Sequence, residues 1–178
     1  MTVEELAQRL RRVADAAEQR AADACVNAMA RSTRRFVLRE LSGPSPSAPH
    51  APPGRETGEL MASVRIVPAA GGGTVATANL APHTIYAAIQ EHGGTVRAHS
   101  GPGRGIAYHG HARRPVGRHS PDAHTLFFIS RGERHFPKEV TLPDRPYMAP
   151  AAAWANAGGA NPAGASAVGE IIREAWGG

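Results

Sequence analysis

The longest periodic signal lies at the start of the chain. Leu6, Leu10, Val13, Ala17, Ala21, Ala24 and Ala28 recur at three- and four-residue spacing, and Met29 and Phe36 extend the stripe. Thr2 with Glu5 three residues on has the pattern of a capping box. Gly43-Pro44 closes the run, so the spacing predicts one helix over residues 2–41. Most of the stripe is alanine. Small side chains let another element approach closely but bury little area, and at about 25 cal/mol per Å2 they stabilise much less than leucines do. At about 1.5 Å per residue the helix is roughly 60 Å long. That is more than one small domain covers, and part of it is expected to pack against a neighbouring subunit.

Residues 42–54 carry five prolines and predict an extended, partly polyproline-like linker. Thr57 is placed to cap a single helical turn through Leu60 and Met61. Strand alternation runs from Ser63 to Pro68, with Val64 and Ile66 on one face and Arg65 and Val67 on the other. A turn at 69–73 and a return strand over 74–80 complete a predicted hairpin. Pro82 precedes a short helix over 84–91, with Ile85 and Ile89 as its core positions. Gly93-Gly94 stops it, supplying positive φ at the C-cap. Another strand begins at 95–98.

Residues 99–122 have no period and read as a long Gly-, Arg- and His-rich loop. Strand signal returns at 125–129, turns at 131–133, and continues through 138–142. A helical run follows over 148–157, the stretch 158–162 breaks it, and a last short helix spans 167–176. The predicted class is α+β. It comprises a long N-terminal helix, a small, mainly antiparallel sheet of four or five strands crossed by one short helix, and a broken C-terminal helix. Residues 1–178 read as one domain: the helix 1–41, the linker 42–54, an α+β core 55–150 containing the basic loop, and a helical tail 151–178.

Charge sharpens this picture through its distribution. The formal net charge is +5. Residues 92–135 account for that excess by themselves, while the other windows nearly cancel. Lys138 is the sole lysine, so basic function falls on arginine, which favours phosphate and carboxylate partners. A GC-rich genome explains the abundance of Arg, Ala, Gly and Pro but not their clustering. Arg97, Arg104, Arg113, Arg114 and Arg118 are the candidate contacts to DNA or to another subunit. Tyr108 is the only aromatic ring between residues 92 and 122, which provides poorly for base stacking.

Catalytic chemistry has little support. Seven of the nine histidines lie between His92 and His135, and His109-x-His111 offers two imidazoles, but the supports are loop-like and carboxylates are scarce. No metal, cofactor or catalytic residue is assigned. Cys25 is the single cysteine and reads as a small buried thiol. No Gly-x-Ser-x-Gly is present, and Ser100-Gly-Pro-Gly-Arg-Gly105 lacks the Lys-Ser/Thr of a phosphate loop. No apolar run is long enough to span a membrane, and the first residues lack the order of a secretory signal.

Three segments carry a resemblance. They are Arg55-Glu56-Thr57-Gly58-Glu59-Leu60-Met61-Ala62-Ser63-Val64-Arg65-Ile66, then Ile85-Tyr86-Ala87-Ala88-Ile89-Gln90-Glu91-His92-Gly93-Gly94-Thr95-Val96, then Val140-Thr141-Leu142-Pro143-Asp144-Arg145-Pro146-Tyr147-Met148. In this order they resemble the neck and tail-completion proteins of tailed bacteriophages, the virion-morphogenesis or tail-component family. There a Thr-Gly-x-Leu-x-x-Ser-Ile segment leads to Tyr-Ala-x-x-x-Glu-x-Gly-Gly, then to Ala-Arg-Pro-Phe-Leu opening a C-terminal helix. The match covers residues 55 to about 155. It departs at Tyr147, where Phe is usual, and at Asp144, where Ala is common.

The resemblance implies fold-signature positions at Gly58, Leu60, Tyr86, Gln90, Gly93, Gly94, Arg145, Pro146 and Tyr147, with Arg145 bracing the sheet. It implies a non-catalytic virion protein, assembled in the host cytoplasm. Such a protein forms a ring, six-membered by analogy with tail tubes, that joins connector to tail tube and allows DNA to pass. Its partners are itself, head-closure and tail-tube proteins, and DNA in transit. The rival expectation is a non-enzymatic nucleic-acid-binding module using the Arg-rich 97–118 loop.

Overall fold

The computed structural model describes residues 2–45, 47–84, 86–97, 128–130, 133–135 and 138–177. The fold is α+β. Its spine is one continuous helical rod: α1 (Val3–Ala16), a π-helical turn (Ala17–Ala21) and α2 (Ala22–Glu40). The capping box forms as its pattern dictates. Thr2 Oγ1 accepts from the Glu5 amide at 3.2 Å, and the Glu5 carboxylate accepts from the Thr2 amide at 2.8 Å.

The rod is covered by its own chain to a greater extent than its length suggested. Helix α6 (Asn161–Gly177) runs antiparallel along α1 and α2. Arg20 pairs with Glu174 at 3.2 Å, and the Arg9 guanidinium lies over the Trp176 ring. At the other end Gly164 is buried against Cys25 and Met29. Alanine and glycine therefore allow a close helix–helix approach. Helix α6 starts at Asn161, six residues before the expected position. Gly158, at φ 88°, ends α5 (Met148–Asn156), and Pro162 then occupies the first turn of α6, where its missing N–H is no loss. The expected stripe fails at Leu10, which is 53% exposed, and α1 buries no residue fully.

Among the described residues the strands form three separate two-stranded antiparallel ladders where one small sheet was expected. Strand β1 (Arg65–Val67) pairs with β2 (Asn79–Ala81), Ile66 opposite Leu80. The return strand is thus much shorter than the 74–80 alternation implied. The long helix diverts the connecting backbone. Asn27 Nδ2 donates to the Ala69 carbonyl at 2.9 Å, its Oδ1 accepts from the Ala69 amide at 2.8 Å, and the Gly72 amide donates to Asp23 at 3.0 Å. Groups needed for a ladder are already used. Strand β3 (Gly94–Arg97) pairs with β6 (Glu139–Leu142), and β4 (Phe128–Ser130) with β5 (Glu133–His135).

Two short helices complete the elements. Helix α3 (Glu59–Ser63) has its N-cap at Gly58, in the left-handed region at φ 81°, and not at Thr57. The Thr57 hydroxyl accepts from the Glu59 amide at 3.3 Å. Helix α4 spans Ala87–His92. The 42–54 linker closes on itself instead of extending. The Arg55 amide donates to the Gly43 carbonyl at 2.9 Å, and Gly54 approaches Pro44 too closely for any side chain. The main core cluster is Val37, Leu41, Val64, Tyr147 and Ala151, flanked by Phe36, Leu60, Met61, Leu80 and Met148. Phe36 stacks on Trp154 at 5.0 Å, fixing α5 to α2.

Candidate assembly site

The second and third of the resemblance-bearing segments meet at one junction, held by Glu91. This residue is the second to last of α4, just before His92 and the Gly93 C-cap. Its carboxylate reaches the N-terminus of α5, where Oε2 accepts from the Tyr147 and Met148 amides at 2.9 Å each and Oε1 from the Ala149 amide at 2.8 Å. Helix N-termini leave amides without intrahelical partners, and a carboxylate there also meets the positive end of the helix dipole. The N-cap Tyr147 makes no side-chain cap of its own. Glu91, distant in sequence, supplies it.

Backbone contacts reinforce the junction. The Arg145 amide donates to the Gln90 carbonyl at 2.7 Å. Gly93 adopts φ 67° and ψ −171°, and a Cβ there would lie 2.6 Å from the Asp144 amide nitrogen. Both conformation and closeness thus require glycine. Asp144 faces the linker: its Oδ1 contacts His50 Nδ1, and its carbonyl accepts from the His50 amide at 3.0 Å. The Arg145 side chain has no hydrogen bond or ion pair among the described residues, so the bracing expected of it is carried by its backbone. Pro146 is half-buried just ahead of the N-cap.

Tyr147 is fully buried in the core, and its hydroxyl has no hydrogen-bond partner among the described residues. Burial, with the Glu91 carboxylate and Tyr86 adding, pushes its pKa up to about 12. Tyr86 stands at the N-cap of α4, with Ala87 buried beside it. Gly58 is the N-cap of α3, whose Leu60 flanks the same core. Of the junction residues, the sequence reading singled out Gln90 and passed over Glu91. The signal was present: Glu91 is the acid of the Tyr-Ala-x-x-x-Glu-x-Gly-Gly pattern.

A second feature lies between α2, β1 and α6. An open groove of about 520 Å3 is lined by Ala28, Arg31, Arg34, Arg35, Ile66, Ala163, Ser166, Ala167 and Glu170. Arg34 Nε donates to the Val64 carbonyl at 2.9 Å. Arg31 and Arg35, one helical turn apart, have no ion pair among the described residues. This basic site was not anticipated, because its arginines looked like ordinary surface positions of an amphipathic helix.

Of the arginines expected to contact DNA or a subunit, Arg97 closes β3 opposite Glu139. Arg104, Arg113, Arg114 and Arg118 lie outside the described residues, as do Ile85, His109 and His111. Cys25 is half-buried, with Sγ 3.9 Å from Met29 Sδ. Among the described residues, no three His, Cys, Asp or Glu side chains are grouped to hold a metal, and no helix is long and apolar enough to cross a membrane. Comparison with protein-family models, curated proteins and solved structures gives no match.

Proposed function

We propose that this chain is a structural subunit of the head–tail junction of a tailed bacteriophage or phage-derived particle. It acts there as a neck or tail-completion protein, forming a ring between connector and tail tube through which DNA passes. The observation that carries the reading is the Glu91 junction. Three segments far apart in sequence resemble that family in the same order; Leu60 of the first and Tyr147 of the third share one core, and the second joins the third through Glu91 and the Gln90 carbonyl. The function is drawn by analogy from the motifs.

A protein of this kind works by shape and contact, so its surface matters more than any cleft. Val3 is 84% exposed, and Leu10, Ile172 and Trp176 keep 40–53% of their surface exposed around the α1–α6 end of the rod. Such side chains suit burial against other subunits. Co-expression with the products of its neighbouring genes, followed by electron microscopy, tests the proposal. A ring bound to one of those partners is expected; a chain that joins neither overturns it. The charge excess in residues 92–135 favours the nucleic-acid-binding module as the second reading. There, Arg113→Ala with Arg114→Ala abolishes DNA retention, and the isolated chain binds DNA tightly with a steep salt dependence.

A further inference from the structure

We propose that the groove beside Arg31 and Arg35 is the dock for a second copy of this chain, which inserts the first turn of its α1, Val3-Glu4. The inference rests on the ring reading above and names the contact that builds the ring. The groove pairs two exposed guanidinium groups with the apolar surface of Ile66, Ala163 and Ala167. Arg34 between them is already held by the Val64 carbonyl, which fixes that turn of α2. The fitting occupant carries a carboxylate next to an exposed apolar side chain. Glu170 also lies on the groove; its negative charge repels any anion, and a polyphosphate backbone with its many charges more than the single carboxylate of Glu4.

The first turn of α1 has that chemistry. Among the described residues Val3 is the most exposed large apolar side chain, and Glu4 beside it is exposed without an ion pair. Glu5 already serves the capping box, which leaves Glu4 as the free acid. A chain cannot fill its own groove. Val3 and Arg31 lie on one helical rod, roughly 40 Å apart at about 1.5 Å rise per residue. Donor and acceptor at opposite ends of a rod make a heterologous contact, which closes into a ring when the rotation between neighbours allows. Val3 against the apolar lining supplies burial, and the charges set register.

Charge reversal and rescue test the contact on the full-length chain. Arg31→Glu with Arg35→Glu, or Glu4→Arg alone, is expected to weaken self-association at least tenfold by sedimentation equilibrium, with helicity and melting temperature retained. Combining Glu4→Arg with the two groove reversals is expected to restore most of it. Reversals that leave self-association unchanged overturn this contact, as does a combined variant no better than its parents. So does loss of DNA binding in the groove variant with association intact, which reassigns the groove to phosphate. A wild-type chain that stays monomeric at all concentrations also overturns the contact. Binding of the wild-type chain to connector or tail-tube proteins reports separately on the head–tail reading.

Discussion

At the scale of single residues, Glu91 links the chain's two halves. A carboxylate accepting three amides at a helix N-terminus combines charge-assisted hydrogen bonds with a favourable dipole. Glu91→Ala is predicted to cost about 2–3 kcal/mol, above an ordinary cap because three donors lose their acceptor. Glu91→Gln, which keeps one acceptor oxygen, is predicted to cost roughly 1 kcal/mol. Urea denaturation of the two variants measures both. Tyr147 predicts a pH effect of defined sign. Its folded pKa of about 12 stands above the ordinary value of 10.0, so the neutral phenol is favoured by the fold. The stability it contributes is intact below pH 10 and falls away between pH 10 and about 12. Tyr147→Phe removes an unpaired buried hydroxyl, so near neutral pH it is predicted to be neutral or slightly stabilising. It should also remove this part of the alkaline loss, as thermal melts across that range will show. The glycines at 93 and 94 were legible in the sequence because a helix stop needs positive φ. Glu91 was harder to read because its partners lie more than fifty residues away.

At the scale of elements, local signals with local causes were the most readable. The Thr2–Glu5 box is contained in one turn, and it formed as its pattern implied. Elements set by distant partners were misjudged. The 74–80 alternation looked like a strand, but Asn27 and Asp23 on α2 take up the backbone of the preceding loop. Asn27→Ala is predicted to destabilise by about 1–3 kcal/mol, since it leaves both the amide and the carbonyl of the buried Ala69 without their partner. Hydrogen exchange at the Ala69 amide should rise with it. Pro162 was read as part of a break, yet the same missing N–H makes proline suitable for the first turn of α6. The α2–α6 packing depends on Gly164, where a Cβ would fall 2.7 Å from Cys25 Sγ and 3.0 Å from Met29 Cγ. Gly164→Ala is predicted to cost about 1–3 kcal/mol through overpacking, despite alanine's better helix propensity. A double variant with Cys25→Ala should recover part of that loss by thermal denaturation.

At the scale of the whole molecule, the α+β class was legible because helical and strand periods occupy separate stretches of the chain. The division of the strands into three ladders was not, because pairing partners are chosen by tertiary contacts. Nor was the basic groove, which exists only once α6 lies beside α2. On the function proposed above, this molecule is a building block whose exposed rod end is completed by other subunits. The decisive measurement is light scattering of the purified chain, alone and mixed with the products of its neighbouring genes. A mass of six or twelve times 18.6 kDa is expected, or a monomer that becomes a ring with one of those products. A monomer that never assembles, yet binds DNA with a steep salt dependence, would contradict it.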